Sequence, residues 1–530
     1  MWVKFRIILS WMLLVVVALA LRFAGITADS LWLDEGYQSM VGAFGRKMPD
    51  LQAMPDEPYR FTFGEAGSVQ DVLTNFRQVD PLCPPLYAVL LNRWMHLFGY
   101  SDLAVRSLSA VISVLSLSAV FFFANKFLGL RTAIFAGVIQ AFSPFDIHYA
   151  QEARMYSLIE LMAVLSSGFL LMLLLKRQQL WQRIFIVLAY GASTWALINS
   201  HYTGLFIVAF QVAVSLASIV VLRDFKLGVS VAAGWFVAKL LWMPWLPMFF
   251  QSAKLRTASF YVSREPSLWW PFFALFVRIP GNWAIFMVSN KVVAYAVPAF
   301  VTSFIFLFFA LLAVFPKELS IGWLRKLRLA RAYKPFSRRQ KLALGYVWLW
   351  TLLPALALWL IDVMENHRVV EISRYLMGTA PAVFILAGAG LAFLGFNRKV
   401  VAILLAVHVA FAVVSNVYNH YVPQREPWRE MAQLVKDNVA DDQLILVAQY
   451  YDIVCLDRYL DKPYRKVGIS PALGQDYIVK LIADKPTFAL VTAQEGEAVH
   501  AFIPSRWKVV RKLDLHHGLH LRLYAKEGGN

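Results

Sequence analysis

"MWVKFRIILSWMLLVVVALALRFAG" (residues 1–25) is the stretch on which the fold turns. Lys4 and Arg6, an apolar run and then Ala18-Leu19-Ala20 have the outline of a secretory signal. The run is longer than a usual signal core, and more apolar runs follow it. It therefore reads as an uncleaved first membrane helix. A transmembrane helix takes roughly 20 apolar residues. Eleven segments fit: 5–25, 103–124, 130–147, 155–175, 184–200, 204–222, 228–249, 291–314, 342–361, 375–395 and 400–417. The composition agrees. Of 530 residues, 59% are hydrophobic and 16% charged, which is too apolar for a soluble chain of this size. The class is a polytopic α-helical membrane protein.

The formal charge of +18 raises nucleic acid as a partner in a soluble protein. Here the basic residues concentrate in short loops, which is how a membrane protein sets its orientation, so no nucleic acid is expected. With the N-terminus inside, the inner loops carry Lys126 and Arg131; Lys176, Arg177 and Arg183; Arg223 and Lys226; and Arg398 and Lys399. The basic loop 316–341 also falls inside, against anionic lipid. The outer side receives the first loop (26–102), turns near Glu152 and His201, the loop 250–290, a turn near Arg374 and the tail. "PPLYAVLLNRWMHLFG" (84–99) is interrupted by Asn92, Arg93 and His96. It reads as an amphipathic helix lying on the outer surface, started by Pro84-Pro85.

From about residue 419 the charges of both signs mix and the apolar runs shorten. "QLILVAQ", "TFALVTA", "WKVVRKL" and "LHLRLYA" read as strands, and "WREMAQLVKDN" as a helix. The division is a membrane domain over 1–418, including the loop 26–102, and a small outer α/β domain over 419–530. Two cysteines, Cys83 and Cys455, allow one pair at most and no disulfide framework.

Polar residues gather at one leaflet. "SLWLDEGYQSM" (30–40) sets Asp34 and Glu35 between apolar residues just past the first span. "SPFDIHYAQEARMYSL" (143–158) combines Asp146, His148, Tyr149, Gln151, Glu152, Arg154 and Tyr156 where two helices end. Such density at a membrane boundary is costly and marks function. Its bland alternative is a self-satisfied turn with a Glu152–Arg154 ion pair. "INSHYTGLF" (198–206) adds His201 and Tyr202, ordinary interfacial anchors when taken alone. "ISRYLMGTAP" (372–381) adds Arg374, which alone reads as a snorkelling side chain. Lys239 and Glu160 lie inside apolar runs; a structural ion pair and a part in a lipid-phosphate path both fit them.

"LWLDEGY", "PPLYAVLLNRWMHLFGYSDLAVRSLSA", "SPFDIHYAQEARMYSL", "HYTGLF" and "RYLMGTAPAVFILAGAGLA", in this order, resemble the bacterial GT-C glycosyltransferases. These are similar to protein O-mannosyltransferases and lipid A aminoarabinose transferases. The resemblance covers most of the chain. Many relatives have His before the Pro-Pro pair, where this chain has Cys83, so a role carried by that position does not transfer.

The resemblance implies a sugar donor linked through phosphate to a polyprenol, and a hydroxyl acceptor on protein, lipid or envelope glycan. It implies a site open to the periplasm or exterior, in the bacterial inner membrane. Asp34 matches the family's catalytic base, with Glu35 as the alternate and Glu152 as a second acid positioning sugar or acceptor. A carboxylate in hydrogen-bond reach of a hydroxyl takes its proton during attack, typically worth ~10²–10⁴-fold. Arg374, with Arg154, would hold the departing phosphate through paired donors. Tyr375, His201, Tyr202, Gln151 and Tyr156 would bond phosphate or sugar. A single displacement inverts the anomeric carbon. The acids are of the oxygen-donor kind that holds Mg²⁺ or Mn²⁺, but the mannosyl and aminoarabinosyl relatives are regarded as metal-independent, and no cofactor is expected. The rivals are a transporter or flippase of polyprenyl-linked glycans, which would place its polar residues near mid-bilayer, and a scaffold that only binds such glycans.

Overall fold

The computed structural model describes residues 2–36, 38, 58–59, 67–79, 83–175, 178–256, 275, 279, 293–314, 336–366, 369–393, 398–422, 425–470 and 474–527. The chain forms two compact units. One comprises Met1–Gly25, Pro81–Tyr87 and Arg106–Asn419; the other comprises Ile26–Asp80, Ala88–Val105 and His420–Asn530. The first loop, placed above with the membrane helices, thus groups mainly with the tail.

The first unit is helical. Each of the eleven apolar segments contains a helix: Trp2–Phe23, Asp102–Phe127, Leu130–Phe142, Tyr156–Leu175, Leu180–Ser200, Gly204–Leu222, Phe225–Trp242, Val293–Leu312, Arg338–Glu365, Ala380–Phe393 and Arg398–Tyr421. Eight helices among the described residues are long and apolar enough to span a membrane, so eleven spans are not established. The expected span 130–147 is broken, because Pro144 lacks the N–H that would continue the helix. Ser143 instead caps a new short helix, Pro144–Ala150, its Oγ accepting from the Asp146 N–H at 3.3 Å.

The helix Ala380–Phe393 is the core of this unit and is buried along nearly its whole length. Glycine makes that depth of packing feasible. A Cβ on Gly388 would lie 2.6 Å from the Ala136 backbone nitrogen, and one on Gly390 would lie 1.8 Å from the Phe306 carbonyl oxygen. Small residues let helix backbones approach this closely.

The second unit carries a six-stranded sheet in the order β1-β3-β2-β4-β6-β5. The strands are β1 Pro58–Tyr59, β2 Leu444–Ala448, β3 Tyr464–Ile469, β4 Thr487–Thr492, β5 Trp507–Leu515 and β6 Leu519–Lys526. β2 runs parallel to β3 and β4, and the other pairs are antiparallel. Alternate side chains serve opposite faces of a strand. Ile445 and Val447 join Trp428, Met431 and Val435 of the helix Trp428–Asn438 in one core. Leu444, Leu446 and Ala448 join Ile478 and Ile482 of the helix Gly474–Ile482 in the other. Both faces of the central strands are therefore covered, as parallel strands require. The four strands and one helix read from the tail sequence are all present; β3 and the helix Gly474–Ile482 were not anticipated.

The helix Leu86–Phe98 begins directly after Pro84-Pro85. The aromatic stretch 267–283, save Leu275 and Ile279, and most of the basic loop 316–341 lie outside the described residues. Cys83 and Cys455 are both free thiols.

Candidate active site

In the helical unit the site is assembled around the break at Ser143. Arg22, in the last turn of the first helix, is fully buried and pairs with the equally buried Asp146 at 2.9 Å. Its Nε donates to Ser113 Oγ at 2.7 Å, and its other nitrogens donate to the Ala141 and Gln140 carbonyls at 3.2 and 3.3 Å. Ser113 Oγ in turn donates to Asp146 at 3.1 Å. A buried charge is tolerable only when paired and hydrogen-bonded in this way. Gln151 ties the same turn back to the first helix, donating to the Arg22 and Ala24 carbonyls at 3.1 and 2.7 Å.

This frame presents a patch of cations and rings. The Arg154 guanidinium carbon lies 5.8 Å from the centre of the Tyr156 ring, and that of Arg374 lies 6.0 Å from the same ring. Arg374 also lies 5.9 Å from the Tyr375 ring, which stacks on His201 at 5.3 Å. Tyr149 meets Tyr156 edge-on at 5.1 Å. These are cation–π distances. Arg374 sits in the short 3₁₀ turn Ser373–Thr379 that leads into Ala380–Phe393, so the positive end of that helix reinforces it.

Not every expected residue serves this patch. Glu152 pairs with His148 at 3.5 Å, four residues earlier in the chain. Tyr202 accepts from Trp245 Nε1 at 3.2 Å and packs edge-on against Phe249. Gln151 serves as a strap. Glu160 accepts from Gln140 at 2.9 Å, whereas Lys239 is exposed, so they are not an ion pair.

In the second unit, Asp34 and Glu35 lie on the four-residue helix Leu33–Gly36 and differ sharply. Asp34 is half-buried. Glu35 is fully buried and faces Arg425 Nη1 at 3.4 Å. Next to Arg425, burial pushes the Glu426 carboxyl above the usual carboxylate range; the charge of Asp34 adds to this, and His517 and Arg425 oppose it. Burial likewise pushes the Cys455 thiol up, with Asp452, Glu426, Glu35 and Asp34 adding to the effect.

Arg22, Arg425 and Glu426 were not singled out from the sequence. Arg22 is a charge in the last turn of an apolar helix, and "REPW" (425–428) follows the last span directly. Those positions were the available signals. Among the described residues, no group of three or more His, Cys, Asp or Glu side chains is placed to hold a metal ion.

A helical bundle followed by a mixed α/β tail is a fold that solved membrane-protein structures share. The chain is similar to ArnT from Cupriavidus metallidurans in the apo state, at 16% identity over 97% of each chain with a TM-score of 0.60. It is similar to the same protein bound to undecaprenyl phosphate, at 16% identity over 97% of each chain and a TM-score of 0.57. It is also similar to the oligosaccharyltransferase AglB of Archaeoglobus fulgidus in complex with an inhibitory peptide and a dolichol-phosphate. That match has 12% identity over 94% of this chain and 71% of the other, with a TM-score of 0.51. No protein-family model and no curated protein matches the chain.

Proposed function

We propose that this chain is an integral-membrane glycosyltransferase that moves a sugar from a polyprenyl-phosphate donor to a hydroxyl acceptor, with inversion at the anomeric carbon. The observation that carries the reading is the pairing of Arg154 and Arg374 about the Tyr156 ring, with Tyr375 and His201 beside them. The leaving group of such a donor is a phosphate anion. Preorganised cations stabilise it as its charge develops. Solved structures of the same fold carry undecaprenyl phosphate and dolichol-phosphate. Asp34 is the base that accepts the acceptor's proton. Its partly open position suits that task better than the buried, paired Glu35.

The chain lies in the bacterial inner membrane with its N-terminus inside. What supports this is that Lys126, Arg223 and Arg398 stand at helix ends that fall on one side if the helices alternate through the membrane. The turns bearing Arg154, His201 and Arg374 fall at the alternate ends, and the basic ends mark the cytoplasmic side.

The transporter reading expects functional charges near the membrane midplane. Arg22 is one residue from the end of its helix, and Glu160 is about 6 Å along its own from the start. Both positions are peripheral, which supports the enzyme.

The test is transfer by the purified chain from a panel of polyprenyl-phosphate sugars to envelope acceptors. Asp34→Asn is expected to lower kcat by about 10²–10⁴-fold with donor binding kept. Equal turnover in both proteins removes Asp34 from the role. Saturable donor binding with no transfer in the wild type favours the transporter.

A further inference from the structure

The turn that carries Asp34 cannot hold its own shape. Leu33–Gly36 is a single helical turn, and a lone turn fixes several dihedrals for one hydrogen bond, so it is unstable by itself. A base must nevertheless be held to within about half an ångström of its working position. The restraint must come from elsewhere, and the structure shows its source in the tail.

Three straps reach the turn, one to each of three closely spaced residues. The Arg429 backbone N–H donates to Ser30 Oγ at 3.0 Å. The Leu31 N–H donates to the Tyr459 hydroxyl at 2.8 Å, and that hydroxyl donates to Asp102 at 2.8 Å. Asp102 is itself gripped by Arg458 at 2.8 Å and Arg429 at 3.1 Å, so Tyr459 is anchored and not merely touching. Arg425 meets the buried Glu35 at 3.4 Å. The turn closes over the tail core: Leu33 packs against the core around Cys455. A Cβ on Gly36 would come within 3.1 Å of the Cys455 sulfur.

We propose that Arg425 and Tyr459 are positioning residues for the base. Arg425 fixes Glu35 as a buried counter-charge, and Tyr459 fixes the backbone at Leu31, so that Asp34 alone of the acid pair is presented for proton transfer. This rests on the reading of Asp34 as the base. It gives the tail domain a part in catalysis beyond any selection of acceptor. A carboxylate buried as deeply as Glu35 has to be paired, and the arginine that pairs it belongs to the opposite end of the sequence.

Cys455 supplies a readout that does not depend on turnover. In a Cys83→Ser background it is the one remaining thiol, buried beneath the turn. The full-length chain is compared with Arg425→Ala, Arg425→Lys and Tyr459→Phe by the rate of maleimide labelling at fixed pH, and by kcat and donor KM. Loosening the turn is expected to speed labelling by about tenfold in Arg425→Ala, and by less in Tyr459→Phe, which removes only a hydroxyl. kcat is expected to fall by about 10²-fold while donor KM holds, and Arg425→Lys is expected to recover part of both. Unchanged labelling and unchanged kcat in the Ala and Phe variants overturn the proposal. Faster labelling with normal kcat also overturns it, because the turn then loosens without consequence for the base. If the wild type transfers no sugar, the glycosyltransferase reading fails by itself, and the labelling rates still decide whether these residues hold the turn.

Discussion

The most exacting prediction concerns Arg22 and Asp146. Both are fully buried and they lie 2.9 Å apart. Removing one partner of such a pair leaves a buried charge uncompensated and costs about 3–5 kcal/mol. The two halves are not equivalent. Asp146→Asn keeps an oxygen to accept from the guanidinium and from Ser113. Its cost falls near the lower figure, about 3 kcal/mol. Arg22→Met leaves Asp146 a buried carboxylate without its cation, and its cost falls near the upper figure, about 5 kcal/mol. The double variant Arg22→Met/Asp146→Leu, which removes both charges, is expected to exceed either single in stability. The assay is reversible unfolding in mixed micelles, with thermal unfolding in detergent as a check. Equal costs for the two singles, or a double variant no more stable than either single, would refute the reasoning.

The remaining predictions are simpler. Arg374→Ala is expected to weaken donor binding by about 10- to 100-fold, the worth of charge-assisted hydrogen bonds. Arg374→Lys should recover only part of this, since an ammonium has charge but no planar fork; titration with the donor lipid checks both. Glu426 has a raised carboxyl pKa, so the folded chain keeps a proton there at pH values where the unfolded chain has lost it. Stability from this group therefore falls as pH rises from the ordinary glutamate range through the raised folded value. Glu426→Gln should flatten that slope in unfolding temperatures measured against pH and should stabilise the protein on the alkaline side. Gly390→Ala drives a methyl into the Phe306 carbonyl and should cost about 1–3 kcal/mol or more, read as a lower unfolding temperature.

Much of this architecture is legible because the membrane makes hydrophobicity nearly sufficient. A helix in lipid satisfies its own backbone, so length and apolar content announce it. That logic finds the helix Tyr156–Leu175 without tertiary information. It misses the break at Ser143, which depends on one proline inside a run of otherwise good length. The tail follows a different rule. β2 and β4 are short apolar runs buried on both faces and stand out, whereas β3, "YRKVGI", hides behind Lys466, whose charge is paired with the buried Asp457 at 2.9 Å. The cluster 143–156 is legible because its members are close in sequence. Their division of labour is not, since Gln151 and Glu152 find partners that spacing does not specify.

The Asp-Glu pair shows where the limit lies. Asp34 and Glu35 are adjacent, chemically alike and next to the same helix, and nothing local ranks one above the other as a base. What separates them is Arg425, which lies at the far end of the chain and becomes informative only once the sheet and the first loop are folded together. Glu35 is fully buried against that arginine, which leaves it no open face for an entering acceptor. Its neighbour Asp34 on the same turn is only half-buried, so part of its surface stays open. On the proposed reading of Asp34 as the base, a tail residue distinguishes two acids that it does not adjoin in sequence, which is why the motif by itself admits two readings.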